Sequence, residues 1–159
     1  MRDARRKPIV SIRATAIRML ARREYARAEL RERLTHRGAD AAEVTRVLDE
    51  LEQLGYLSDA RFAQMLVTQK AGRYGKRAIA HALTQRRVAS PAAQAALDAL
   101  KNVDELTDAS ALRERRFGSL PRDERERARQ IRFLIARGYK LAVALKVVGR
   151  PAADGDTDD

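Results

Sequence analysis

The stretch that decides the fold is Leu54–Ala63, LGYLSDARFA. Leu54 closes a stripe of apolar residues, and Gly55 can adopt the left-handed backbone conformation with which many helices end. Ser58 or Asp59 can then accept hydrogen bonds from the first amides of a following helix. The stretch therefore predicts the end of one helix, a tight glycine turn and the start of the next helix.

Similar signals divide the rest of the chain. Ala, Arg, Leu and Glu dominate the composition, and no segment shows the sustained alternation that is typical of a strand. Helix starts are indicated by Asp40 with Glu43, by Ser90 before Pro91, and by the acidic residues after Pro121. Glycines that can end helices are Gly38, Gly55, Gly72 or Gly75, Gly118, Gly138 and Gly149. These signals predict an all-α fold of about nine helices.

The helices repeat along the chain. A shift of 49 residues places Leu34 on Leu83, and a further shift of 51 places Leu83 on Leu134. The repeat indicates an elongated tandem array of three three-helix units, each burying its apolar stripe within itself and against its neighbours. A chance match between amphipathic helices of similar length is the alternative. We expect a basic arm over 1–10, units over 11–55, 59–100 and 104–149, and a disordered acidic tail over 150–159.

Charge is distributed unevenly among these segments. The formal net charge is +11, residues 39–60 contain 1 basic and 6 acidic residues, and residues 61–101 contain 8 basic and 1 acidic residue. Such segregation favours a basic stripe that follows a phosphate backbone over arginines that merely solvate helix faces. Aromatic residues make up only 4%, which argues against a platform on which bases stack.

Several function classes lack their characteristic residues. The chain has no cysteine, so it has no disulfide, catalytic thiol or cysteine zinc site. His36 and His81 lie in different units and are expected on helix surfaces, and no catalytic constellation is visible. No apolar run approaches the ~20 residues that a membrane span needs. We expect a binding protein and not an enzyme, without a cofactor, monomeric, cytoplasmic and not attached to a membrane.

The basic turn Gly72–Arg77, GRYGKR, resembles a phosphate loop only superficially. A Walker loop needs four residues between its glycines and Ser or Thr after its Lys, and here two residues intervene and Arg77 follows. The turn either binds a phosphate oxygen at a helix N-terminus or is purely structural. Tyrosines lie beside three glycine turns; we expect Tyr56 and Tyr139 to seat their turns against the core, and the role of Tyr74 stays open.

Four segments resemble the RecX family, whose members regulate the bacterial RecA recombinase. At residues 55–63 the family consensus runs close to G-Y-L-D-D-x-R-F-A, and this chain departs from it only at Ser58. Ser caps a helix as well as Asp does. The other three segments are 28–38, 72–83 and 129–139, the last with Ala136 where a basic residue is common. Their order and spacing make the match specific over roughly residues 14–148.

The resemblance implies that the chain binds RecA filaments and suppresses filament extension, ATP hydrolysis, strand exchange and cleavage of the SOS repressor. Its partners would be the RecA filament and, through a basic face, single- and double-stranded DNA. Two alternatives are a helix-turn-helix transcriptional regulator, which would show sequence preference, and an adaptor that makes protein contacts only. The cations expected to form the binding face are Arg22, Arg23, Arg27, Arg31, Arg73, Lys76, Arg77, Arg86, Arg87, Arg132, Arg137 and Lys140.

Overall fold

The computed structural model describes residues 10–151, and every regular element in that range is an α-helix. The all-α prediction is therefore confirmed there, whereas most of the predicted arm and tail, residues 1–9 and 152–159, lies outside the described residues. The helices are α1 (Ile12–Arg22), α2 (Arg27–His36), α3 (Ala41–Gln53), α4 (Asp59–Lys70), α5 (Lys76–Gln85), α6 (Ser90–Asp98), α7 (Glu105–Phe117), α8 (Glu124–Ala136) and α9 (Leu141–Val148).

The nine helices of the described range form three tandem units. The closely packed helix pairs lie within α1–α3, within α4–α6 or within α7–α9, and each set encloses its own apolar core. Leu34, Leu83 and Leu134 lie in the three cores and are all buried, which confirms their predicted equivalence. We refer to the sets as units one, two and three.

The turn between α3 and α4 has the predicted geometry. Gly55 has a φ of +79°, and the Ser58 hydroxyl accepts a hydrogen bond from the Arg61 amide at 3.2 Å. Leu57 is buried beneath the turn, whereas Tyr56 is 55% exposed, so Leu57, and not Tyr56 as expected, seats this turn against the core. The turn directs the residue after Tyr56 inward, and Leu57 fills the space between the helices.

Asp59 has a role other than capping its own helix. Its Oδ1 accepts a hydrogen bond from the Arg27 amide at the start of α2, and its Oδ2 accepts one from the Ala89 amide before α6, each at 2.8 Å. α6 begins at Ser90 without a side-chain cap, so the predicted capping role of Ser90 is wrong. Asp59 ties the middle helix of unit one to the last helix of unit two.

The residue before α2 also belongs to the junction between units one and two. Ala26 is fully buried, but it packs in the core of unit two with residues such as Phe62 and Leu83. The helical spacing of Ala26, Leu30 and Leu34 in the sequence predicts one apolar stripe of unit one, but only the two leucines lie in that core, so the predicted place of Ala26 is wrong. Because α2 begins at the junction, a small residue there lets the backbone approach the next unit closely.

The junction between units two and three repeats this plan. The Lys76 amide at the start of α5 donates to Glu105 Oε1 of α7 at 3.1 Å, and the Gly75 amide donates to the Arg137 carbonyl at 2.8 Å. Tyr139 is buried beside this contact, as predicted, and its burial raises the pKa of the phenol to about 12. A carboxylate from the next unit thus caps the middle helix in both junctions.

Candidate nucleic-acid interface

An open groove between α1 and α2 is lined by four arginines. Arg18 and Arg22 are one turn apart on α1, and Arg33 and Arg37 have the same spacing at the end of α2. The other lining residues are Thr15, Met19 and Tyr25, so no carboxylate faces the groove among the residues that the structure describes. We call this the arginine groove; its guanidinium groups can donate to phosphate oxygens or carboxylates.

Tyr25 gives one wall of the groove a fixed surface. Its ring is buried, and the Arg23 guanidinium lies 3.6 Å from the ring centroid, within the range of a cation–π interaction. The Arg33 guanidinium carbon lies 5.6 Å from the same centroid. The ring therefore holds arginines of the α1–α2 loop and of α2 in defined positions.

Glu29 restrains three of the nearby cations. Its carboxylate lies 2.7 Å from Arg23, 3.2 Å from Arg33 and 3.6 Å from Arg86 of unit two. Burial alone would raise the pKa of Glu29, but the hydrogen bond from Arg23 and the three positive charges outweigh it. The pKa of Glu29 consequently lies below its ordinary value. Its negative charge attracts arginines of both unit one and unit two.

Other predicted binding residues are held by acidic or polar partners. Arg27 is bound by Asp49 at 2.7 Å and by Glu52 at 2.9 Å, and only 21% of its side chain is exposed. Arg31 donates to the Thr45 hydroxyl at 3.0 Å, and Arg87 lies 3.0 Å from Glu32 across the junction. Together with Arg23 and Arg86, these residues support helix and unit packing in the structure.

A second cationic surface surrounds Tyr74 at the junction of units two and three. The Lys70 ammonium lies 4.4 Å from the Tyr74 ring centroid, and the Arg137 guanidinium of unit three lies 5.2 Å from it. Arg73 lines the same shallow surface together with Lys70 and Tyr74. The structure thus places Arg137 of unit three beside Tyr74, which follows Arg73 in the chain.

The basic turn differs from its predicted phosphate-binding form at one amide. The Lys76 amide, the first of α5, already donates to the Glu105 carboxylate. A carboxylate of the protein itself therefore lies at this helix N-terminus, which favours the structural alternative for the backbone of the turn. The side chains of Arg73 and Arg77 are exposed, and that of Lys76 is partly exposed.

Sequence reasoning missed Arg18, Arg33, Arg37 and Lys70. The spacing of four between Arg18 and Arg22, and again between Arg33 and Arg37, is the signal that could have found the arginine groove. In unit three, Arg132 and Lys140 are exposed, and no acidic residue occurs between Arg127 and Pro151.

The other predicted features concern catalysis and membranes. His36 and His81 are exposed on helices, as predicted. Over residues 10–151, no cluster of three or more His, Asp or Glu side chains has the arrangement of a metal site. None of the described helices has both the length and the apolar character that crossing a membrane requires.

These features define an array of helix-turn-helix-like units with cationic grooves. Residues 13–51 match the family model described as the first three-helix domain of RecX, and residues 58–97 match its second three-helix domain. "Regulatory protein RecX" of Leptothrix cholodnii is 38% identical over 156 residues, covering 98% of this chain and 99% of the relative. "Regulatory protein RecX" of Halorhodospira halophila is 41% identical, covering 94% and 91%. The chain belongs to the RecX family of regulatory proteins.

Crystal structures show the same fold. RecX from Lactobacillus salivarius superposes with a TM-score of 0.70 at 15% identity, covering 86% of this chain and 92% of that one. A second crystal structure of a regulatory protein RecX gives a TM-score of 0.69 at 20% identity, covering 86% and 72%.

Proposed function

We propose that this protein binds RecA–DNA filaments in the cytoplasm and inhibits the recombinase, ATPase and coprotease activities of RecA, and so acts in DNA recombination, repair and the SOS response. The RecX resemblance supplies RecA as the partner, and the relatives bear the name of regulatory proteins. In this proposal the chain acts as a monomer and needs no cofactor. It inhibits RecA by staying bound along the RecA–DNA filament.

The arginine groove is the observation that carries the proposal. Arg18, Arg22 and Arg37 have no ion-pair partner among residues 10–151, whereas many other arginines of units one and two do. Cations that the fold does not neutralise are available to phosphates, and each phosphate contact releases counterions. The Tyr74 surface adds a second cationic site in the same tandem array. Several weak sites on one chain strengthen each other through effective concentration.

The test replaces the three unpaired groove residues together, as Arg18→Gln, Arg22→Gln and Arg37→Gln. Because each single-strand phosphate contact contributes about 0.7 to the salt slope, we expect the slope to fall by roughly 2. Inhibition of the ATPase activity of RecA on single-stranded DNA should weaken several-fold. Arg33 is left unchanged because it also contacts Glu29.

The matched control removes the same charge elsewhere, as Arg46→Gln, Lys101→Gln and Arg122→Gln, since each of these residues has acidic neighbours in the sequence. It should inhibit almost as well as the wild type. Equal loss in both triples would show that net charge matters and the groove does not. Strong preference for one duplex sequence would favour the transcriptional regulator instead.

A further inference from the structure

Unit three differs from the other units at three equivalent surface positions. The equivalence rests on buried Leu34, Leu83 and Leu134, and on α3, α6 and α9, which begin at residues related by the same shifts. The residues of unit three at these positions are Ile135, Leu141 and Leu145, which we call the apolar patch. Their counterparts are Thr35 and Thr84, Ala41 and Ser90, and Thr45 and Gln94.

The apolar patch is accessible to solvent. Ile135, Leu141 and Leu145 are 43%, 54% and 39% exposed. Leu141 and Leu145 are one turn apart on α9, and Ile135 lies at the end of α8, just before the turn that joins the two helices. Exposed apolar side chains grouped in this way are typical of an interaction surface, whereas single ones are common on any protein.

Charge around the patch selects the kind of partner. Arg132, Lys140 and Lys146 lie within a segment, residues 127–153, that has no acidic residue. None of these three has an ion-pair partner among the described residues, 10–151. A ligand that covers the patch must therefore be acidic at its edges and apolar at its centre.

We infer that α8 and α9 form a docking surface for an acidic amphipathic helix of a protein partner. Apolar residues of such a helix, spaced by three or four positions, would cover Leu141 and Leu145, and its carboxylates would meet the flanking cations. Nucleic acid fits less well, because phosphates do not cover leucine side chains. The inference rests on the proposed function, within which the protein component of the filament carries this helix, while the arginine groove binds DNA.

The experiment gives unit three the residues that unit two has, as Ile135→Thr, Leu141→Ser and Leu145→Gln. A control triple, Leu54→Gln, Leu106→Gln and Leu120→Gln, changes leucines that are also exposed but lie elsewhere. Binding is measured to RecA filaments on oligo-dT and to bare oligo-dT. We expect the patch triple to weaken filament binding at least tenfold, to change binding to bare DNA less than twofold, and the control to change neither.

Each other outcome overturns the inference. Unchanged filament binding would show that the patch is not a docking surface, and equal losses for filaments and bare DNA would make it a nucleic-acid surface. A wild-type dimer that the patch triple converts to monomers would identify a second copy of this chain as the occupant. If the wild-type protein binds bare DNA but not filaments, the proposed function itself fails and the inference fails with it.

Discussion

The Asp59 carboxylate at the start of α4 accepts a hydrogen bond from the Arg27 amide, 32 residues earlier and in the preceding unit, at 2.8 Å. Glu105 at the start of α7 makes the corresponding contact with the Lys76 amide. Neither α2 nor α5 has a side-chain cap from the residue before it, which is Ala26 or Gly75. The free amides at the N-terminus of each middle helix therefore find an acceptor in the next unit. Each of these two middle helices depends on the following unit for its cap.

Asp59→Ala should destabilise the protein by about 1–3 kcal/mol, because two amides lose their acceptor. Asp59→Asn keeps one oxygen and should cost less. Urea denaturation at pH 7 measures both, with Glu114→Gln, an exposed carboxylate of α7, as the control. A loss no larger than that of the control would show that the junction does not depend on this contact.

Short-range signals explain what could be predicted. The turn at Gly55 and the burial of Leu34, Leu83 and Leu134 depend on residues within a few turns of each other, so periodicity and capping rules reveal them. The role of Asp59 could not be predicted, because its partners, Arg27 and Ala89, come from two other helices.

The candidate site could be predicted only in part, for a related reason. The charge distribution in the sequence predicts that Arg27 and Arg87 lie on a binding face. In the structure they are neutralised by Asp49, Glu52 and Glu32, and these ion pairs depend on how the helices pack. Periodicity alone does not set that packing. Predicting which cations remain unpaired therefore requires the structure.

Gly75→Ala should weaken the contact between units two and three. Gly75 has a φ of −74°, so alanine causes no backbone strain, but its added carbon would overlap the Gly138 carbonyl and lie 2.7 Å from the Tyr139 nitrogen. We expect a loss of about 1–3 kcal/mol from overpacking, with faster hydrogen exchange at the Lys76 amide.

Gly55→Ala is the control for that substitution. An added carbon at Gly55 meets nothing within 4 Å, but its φ of +79° costs alanine about 1–2 kcal/mol. Stability should therefore fall without faster exchange at the Lys76 amide. Unchanged exchange in Gly75→Ala would contradict the tight contact between units two and three.

Glu29→Gln should destabilise the protein and strengthen DNA binding. Removing the carboxylate leaves Arg23, Arg33 and Arg86 without their shared partner, at a cost of about 1–3 kcal/mol at pH 7. The released cations should raise affinity for single-stranded DNA roughly threefold at low salt. Denaturation and fluorescence anisotropy measure the two effects.

The stability difference between wild type and Glu29→Gln should depend on pH. Because the fold lowers the pKa of Glu29, its stabilisation is fully present above the ordinary value of about 4.3 and is lost as pH falls through the lower folded value. The stability difference between the two proteins should narrow as the pH falls further below that ordinary value. A difference that does not narrow as the pH falls would show that the charge of Glu29 is not responsible.

The side chains of the basic turn should contribute to binding and little to stability. Replacing Arg73, Lys76 and Arg77 by alanine should leave the melting temperature unchanged or slightly raised, because cations at a helix N-terminus cost roughly 0.3–1 kcal/mol and Glu105 still caps the Lys76 amide position. Inhibition of RecA ATPase should nevertheless fall several-fold, since Arg73 contributes to the Tyr74 surface. The control is the variant in which Arg46, Lys101 and Arg122 are replaced by Gln. Early melting would assign the three residues to the fold, and normal inhibition would leave the arginine groove as the main contact with the filament.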